Sequence, residues 1–259
     1  MENIGFTALA GITIKYYSGD VPPPFCCQYE LAIDLQDQLF TRYKIEYLFR
    51  EELSEQEIVD EGFAPDDNFS WKGNLPVLWE EEFEEILSKT SWIRKKVSRK
   101  PEDPVIEVTL LDLDGNTFVG YPGEMDLWLY FMEEAIQAVY ELAGRSKPLE
   151  IRYMDLTEEQ PLKVSMEVKF AVRQFLITKE QKGLAPVEKE YPWAEVKNYL
   201  KDIYVPEYNW EAVVQGKPKQ GAKYIDPGEG VWLKFNSGVV NPNAKIDALG
   251  RISAMMAEL

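Results

Sequence analysis

The side chains able to carry out chemistry here are carboxylates, lysines, tyrosines and two cysteines, because the sequence contains no histidine. The chain therefore supplies no Ser-His or Cys-His nucleophile pair and no imidazole ligand for zinc. Carboxylates are concentrated in two places, the run Glu80–Glu85 (EEEFEE) and the pair Glu133 and Glu134. Two carboxylates can act as acid and base in glycoside hydrolysis, or they can bind a divalent cation.

Helical periodicity gives both clusters a structural explanation. An apolar stripe predicts a largely buried helix near 124–143, which we expect to be central in the fold. Glu133 and Glu134 fall on the narrow polar side of that helix and are expected to face solvent. The run at Glu80 flanks Phe83 in the same way. Nothing in the pattern selects one acid–base pair.

The stretch SGDVPPPF (Ser18 to Phe25) precedes two adjacent cysteines, Cys26 and Cys27. Consecutive prolines favour a stiff, extended course, and alternating segments on both sides place this stretch between two strands. A soft metal would need further Cys or His ligands, which the sequence does not have. We therefore expect a stiff connector with ordinary thiols, with Cys27 facing inward, and neither a metal site nor a cofactor.

The segment DLDGNT (Asp112 to Thr117) resembles a calcium loop in its first positions only. Thr117 stands where such a loop needs glycine, and Gly123 stands where it needs glutamate. Apolar segments flank Asp114-Gly115, which is a strong signal for a hairpin turn. The sequence predicts a turn here.

The net charge is −17, and most of it lies in one segment. Between Glu46 and Glu85 there are 14 acidic residues against two basic ones, together with seven aromatic residues that indicate a folded segment. A field of this sign repels phosphate backbones and attracts basic proteins. We therefore expect a basic protein partner and no nucleic acid, although a well-solvated surface without a partner has the same composition. The candidate contact residues are Trp71, Glu80, Glu81, Glu84 and Glu85.

A short basic run, RKKVSRK (Arg94 to Lys100), follows the acidic segment. We expect it to balance that charge within the fold or across a subunit contact, so a homo-oligomer stays open. No apolar run approaches the roughly 20 residues needed to span a membrane. Two cysteines in a chain of this length do not form a disulfide framework, which favours a cytoplasmic protein without membrane contact.

Several segments alternate between apolar and polar residues, among them CQYELAIDL (Cys27 to Leu35) and RYKIEYLFR (Arg42 to Arg50). Clean alternation is typical of antiparallel sheets with one wet face. Interleaved strands and about five predicted helices indicate an α+β fold. We expect a single domain over 1–259, with a two-part organisation and a junction near 144–148 as the variant.

The leading functional hypothesis is a non-catalytic protein-binding module of inhibitor or immunity type that uses its acidic surface. A carboxylate-based hydrolase is one alternative, and it requires a pocket with converging Asp and Glu. A small-ligand or carbohydrate-binding protein that uses surface aromatics such as Trp71 is the other.

Overall fold

The computed structural model describes residues 6–94, 100–159 and 161–259, and the chain divides into two units, Met1–Arg145 and Ser146–Leu259. The class is α+β, as predicted, because antiparallel sheets are combined with five α-helices in the described residues. The basic run at 94–100 falls mostly outside the described residues. That both units form a single domain stays a prediction.

The first unit contains three α-helices and one sheet of order β4-β3-β2-β1-β6-β7-β5 in its described part. Its strands are β1 (Leu9–Tyr17), β2 (Cys27–Asp34), β3 (Phe40–Tyr47), β4 (Phe69–Asn74), β5 (Trp92–Ile93), β6 (Val105–Asp112) and β7 (Thr117–Pro122). Its helices are α1 (Glu55–Asp60), α2 (Trp79–Lys89) and α3 (Met125–Leu142).

Alternation along the strands gives this sheet one buried and one exposed face. In β1, the side chains of Ile12 and Ile14 are buried on one face, whereas the side chain of Lys15, on the opposite face, is exposed. Lys15 lies opposite Glu30 of β2, and its Nζ is 3.5 Å from a carboxylate oxygen of that residue. The apolar residues therefore hold the register, because a slip by one position would expose them all.

Helices α2 and α3 pack against each other through aromatic side chains, with the rings of Phe83 and Phe131 5.2 Å apart. Tyr140 of α3 also contacts Tyr43 and Phe69 on the buried face of the sheet. The helix α3 fills the predicted segment, but the expectation that Glu134 faces solvent is wrong, because this residue is buried. That α3 is central in the fold stays a prediction.

Local capping fixes the start of α1. The Ser54 hydroxyl accepts the backbone N–H of Glu57, and the Glu57 carboxylate accepts the backbone N–H of Ser54 at 2.8 Å. This capping box satisfies two N–H groups that a helix start leaves unpaired.

The second unit contains two α-helices and a sheet of order β11-β10-β9-β8-β13-β14, with β12 and β15 paired separately. Its strands are β8 (Leu149–Asp155), β9 (Leu162–Lys169), β10 (Gln174–Gln181), β11 (Val187–Tyr191), β12 (Glu207–Tyr208), β13 (Lys223–Asp226), β14 (Leu233–Lys234) and β15 (Val239–Val240). Its helices are α4 (Val196–Ile203) and α5 (Ala248–Glu258).

The core of the second unit lies between one face of this sheet and its two helices. Ile151 and Met166 from the sheet are fully buried together with Ile203 of α4 and Ile252 of α5. Asp247 caps the start of helix α5 by accepting the N–H of Gly250 at 2.9 Å.

The two units have the same topology. In each, four strands form a meander, a helix follows, the next long strand pairs with the first strand of the meander, and a helix closes the unit. The turn after that long strand is also shared, because Asp112 and Asp226 each accept N–H groups two and four residues further on. The predicted hairpin turn at Asp114-Gly115 is confirmed, since β6 and β7 flank it.

Although the two units share a topology, the connections between their strands differ in length. Between the third and fourth strands of the meander, the first unit has 21 residues (48–68) and the second has five (182–186). Most connections in compact domains are shorter than about 12 residues, and longer ones often carry function. The first unit therefore has a long addition at a point where the second unit shows that a short turn suffices.

The helices of the described ranges include none that is both long enough and apolar enough to cross a membrane.

Candidate functional site

The acidic segment 46–85 is divided by strand β4. Phe69, the first residue of β4, pairs with Ile45, whereas Asn74 at its other end pairs with Phe40. Residues 48–68 therefore enter β4 at one end of the sheet, and α2 follows from the opposite end. The carboxylates of this segment lie on two elements, a long loop and a helix.

The four candidate glutamates all lie on α2, where three of them are exposed and Glu80 is half-buried. Glu80 and Glu81 are in the first turn, where carboxylates are favoured by the unpaired N–H groups of the helix start. Glu85 forms an ion pair with Lys89 one turn further on. Among the described residues, Glu81 and Glu84 have no ion-pair partner.

Trp71 lies on the edge strand β4 and is half-buried. Its indole folds along its own strand over Gly73, so that a Cβ at position 73 would stand 2.4 Å from the ring. Tyr43, which is opposite Trp71 in β3, is buried. These contacts favour a packing role for Trp71.

The two cysteines are free, and the thiol of Cys26 is buried. Burial, and to a lesser degree the neighbouring Cys26, raises the pKa of the Cys27 thiol despite the opposing effect of Arg50. A protonated thiol is a poor nucleophile and a poor metal ligand. The described residues include no group of three or more Cys, Asp and Glu side chains arranged to hold a metal ion.

Several carboxylates serve as hydrogen-bond acceptors within the fold. Hydrogen bonds lower the pKa of Glu46, Glu57, Asp112 and Glu124, with donors on Lys44, Ser54, Asn116 and Ser91 respectively. A general acid at neutral pH needs a raised pKa. These four side chains are therefore unsuited to that role.

Arg50 binds the loops at the end of the sheet where residues 48–68 enter β4, and only 9% of its side chain is exposed. Its Nε donates to the carbonyl of Pro24 at 3.3 Å, and its Nη1 donates to the carbonyl of Ala64 at 2.8 Å and to Asp67 at 3.4 Å. Its guanidinium carbon lies 3.8 Å from the ring centre of Tyr47. One cation thus joins the proline loop to both ends of the segment 48–68.

Next to Arg50, two phenylalanines are exposed to solvent. Just beyond the paired ends of β2 and β3, the N–H of Leu48 donates to the carbonyl of Cys26, and Phe49 and Phe25 are the next residues outward on the two chain segments. Their exposed fractions are 47% and 49%. Phe49 is followed by the buried Arg50 and then by Glu51 and Glu52, both of which are exposed. We call Phe25, Phe49, Glu51 and Glu52 the aromatic–acidic surface.

Phe49 has an unusual backbone conformation, with φ 62° and ψ 17°. In this left-handed region the Cβ of any residue other than glycine approaches the backbone closely, and the cost is about 1 kcal/mol. Such strain persists only where the surrounding structure imposes it, and it is concentrated at functional sites. The next residue, Arg50, is fixed by hydrogen bonds to Pro24, Ala64 and Asp67.

The strain can be measured by comparing two variants that both remove the ring. We expect Phe49→Gly to have a free energy of unfolding about 1 kcal/mol higher than Phe49→Ala, because only glycine accepts this conformation freely. Urea denaturation followed by tryptophan fluorescence gives both values. The control pair is Val119→Gly and Val119→Ala in β7, for which alanine is expected to be the more stable. Equal free energies of unfolding for Phe49→Gly and Phe49→Ala would show that the backbone at position 49 is not strained.

Sequence reasoning found α2 and Trp71 but not Arg50, Phe25 or Phe49. Arg50 was counted only as one of two cations in an acidic segment, whereas its partners come from positions 24, 47 and 63–67. The sequence contains one indication of this surface, because aromatic residues, Phe49 among them, occur between the charged residues of 46–85.

Comparison of the chain with family models, with curated proteins and with solved structures gave no match.

Proposed function

We propose that this protein is a non-catalytic binding protein that recognises a basic protein partner through the acidic surface of its first unit. An inhibitor or immunity-type protein that covers a basic target fits this description. The observation that supports the proposal most is the charge of 46–85, a segment with 14 acidic residues and only two basic ones.

Those two basic residues do little to neutralise the segment's surface. Arg50 is buried within the loops, where Asp67 is its ionic partner, and Lys72 is exposed on β4. Exposed carboxylates on α1, α2 and the loop before α1 therefore keep a negative potential toward solvent. A field of this kind accelerates association with a protein of opposite charge and disfavours partners of like charge.

The cysteines agree with a reducing compartment. Both thiols are free, although they are adjacent in sequence, and Cys26 is buried. Proteins of oxidising compartments commonly use disulfides, whereas cytosolic proteins keep their thiols reduced. We therefore place the proposed interaction in the cytoplasm.

The proposal is tested by exchanging the α2 carboxylates for neutral amides of the same shape. In Glu80→Gln, Glu81→Gln, Glu84→Gln and Glu85→Gln combined, capture of basic proteins from the native cell extract should fall, with the remaining capture less sensitive to salt. The tagged full-length chain is used at low and high salt, and captured proteins are identified by mass spectrometry.

A charge-matched variant separates a local surface from net charge. Glu158, Glu159, Glu188 and Glu190 are exposed on the second unit, and changing all four to Gln alters the net charge by the same amount. We expect that variant to capture the same proteins as the wild type. If the α2 variant also keeps every interaction, the helix surface does not bind the partner.

A further inference from the structure

We propose that the aromatic–acidic surface is the recognition site for a protein segment in which Lys or Arg side chains flank a large apolar side chain. The inference rests on the proposed function and names the part of the acidic segment that the partner contacts. The loops that hold Phe25 and Phe49 form the contact centre, and the α2 carboxylates contribute to the long-range field that attracts the partner.

The apolar half of this surface consists of two exposed phenylalanines on chain segments joined by one backbone hydrogen bond. Phe25 and Phe49 follow the same backbone hydrogen bond, and about half of each ring is exposed. The other side of Phe25 packs edge-to-face on Phe63, with ring centres 5.4 Å apart. Exposed aromatic side chains with one supported face are the residues that most often dominate the energy of protein interfaces.

The backbone next to both phenylalanines is held before any partner arrives. Arg50 holds the carbonyls of Pro24 and Ala64, and its guanidinium lies against Tyr47 and Phe63. The residues on either side of the surface are thus fixed by a buried cation. Binding to such a surface loses little conformational entropy, which favours affinity.

The charged half of the surface selects the partner's chemistry. Glu51 and Glu52 are exposed, and neither has an ion-pair partner in the part of the chain that the structure describes. Carboxylates beside an apolar centre complement a segment with the reverse arrangement, an apolar side chain between cations. A purely apolar segment would leave these charges without compensation.

The second unit shows that the fold does not need this addition. Its own meander connects the third and fourth strands through 182–186, and the connection between its first and second strands has six residues (156–161) against nine (18–26) in the first unit. Both connections that build the aromatic–acidic surface are therefore the longer ones. Residues added where the fold functions without them are explained by binding.

The experiment is selection of a random peptide library, displayed on phage, against the immobilised full-length protein. We expect the enriched peptides to combine Lys or Arg with one large apolar residue. A synthetic peptide of that pattern should bind Phe49→Asn at least about tenfold more weakly in fluorescence anisotropy. Asn tolerates the left-handed backbone, so the variant keeps the fold, which circular dichroism checks. Phe25→Ser provides a second variant of the same surface.

The outcomes distinguish the inference from the function on which it rests. If the enriched peptides are basic but bind Phe49→Asn and Phe25→Ser as tightly as the wild type, the inference is wrong and the proposed function stands. If the enriched peptides carry no excess of positive charge, both are wrong. If Glu51→Gln with Glu52→Gln leaves the affinity unchanged, the charged half of the proposal is overturned.

Discussion

Replacing Arg50 with alanine is expected to lower the free energy of unfolding of the first unit by about 3 kcal/mol. The substitution leaves the half-buried Asp67 carboxylate with the Ala64 N–H but without its cation, and it removes the donors to the carbonyls of Pro24 and Ala64. It also removes the cation between the rings of Tyr47 and Phe63. The measurement is urea denaturation followed by circular dichroism and by fluorescence.

Lysine at position 50 should not restore the stability. A lysine keeps the charge but cannot donate to three acceptors in a plane or stack on an aromatic ring as a guanidinium does. The control is Arg42→Ala, because Arg42 is exposed on β3 of the same sheet and should change stability by less than about 0.5 kcal/mol. An unfolding midpoint of Arg50→Ala equal to that of the wild type would show that the loops are held by other contacts.

The second large effect is expected in the second unit, from Asp226→Asn, at about 3 kcal/mol. Only 1% of the Asp226 side chain is exposed. One oxygen accepts the N–H groups of Gly228 and Gly230, and the other accepts Nε of Arg152 at 3.1 Å. In Asp226→Asn, the side-chain N–H₂ group would point either at the Arg152 guanidinium or, with the amide rotated by 180°, at the N–H groups of Gly228 and Gly230. In both orientations a donor would face a donor.

The repeated topology supplies the control within the same chain. Asp112 accepts two backbone N–H groups in the same pattern, but it is only half-buried and its other oxygen accepts the side-chain amide of Asn116. Asp112→Asn should therefore lower the free energy of unfolding by no more than about 1 kcal/mol. Equal losses for both variants would mean that the turn, rather than the buried ion pair, accounts for the energy.

Local signals allowed much of the fold to be predicted. The turn at Asp114-Gly115 and the alternation in β3 depend on residues a few positions apart, so each pattern is complete in the sequence. The apolar stripe of α3 is equally local. These features were predicted because their energetic causes lie within single elements.

Other features depend on partners that are distant in the sequence. Arg152 and Asp226 are 74 positions apart, and Arg50 finds Pro24 across the hairpin. Glu134 was assigned to solvent from a helical wheel, which cannot include the neighbours that bury it. The candidate glutamates were chosen by charge density, whereas Phe49 is distinguished by a backbone angle that no residue pattern reveals.

The left-handed Phe49 has a consequence for protein engineering. A programme that raises heat resistance by replacing strained residues with glycine would include position 49, one of five non-glycine residues with positive φ in the described ranges, and would keep the variant if its melting temperature held. If the ring contacts a partner, the selected variant would have lost partner binding, and its melting curve would not show this loss. For this chain, thermal stability and biological competence should be screened separately from the first round.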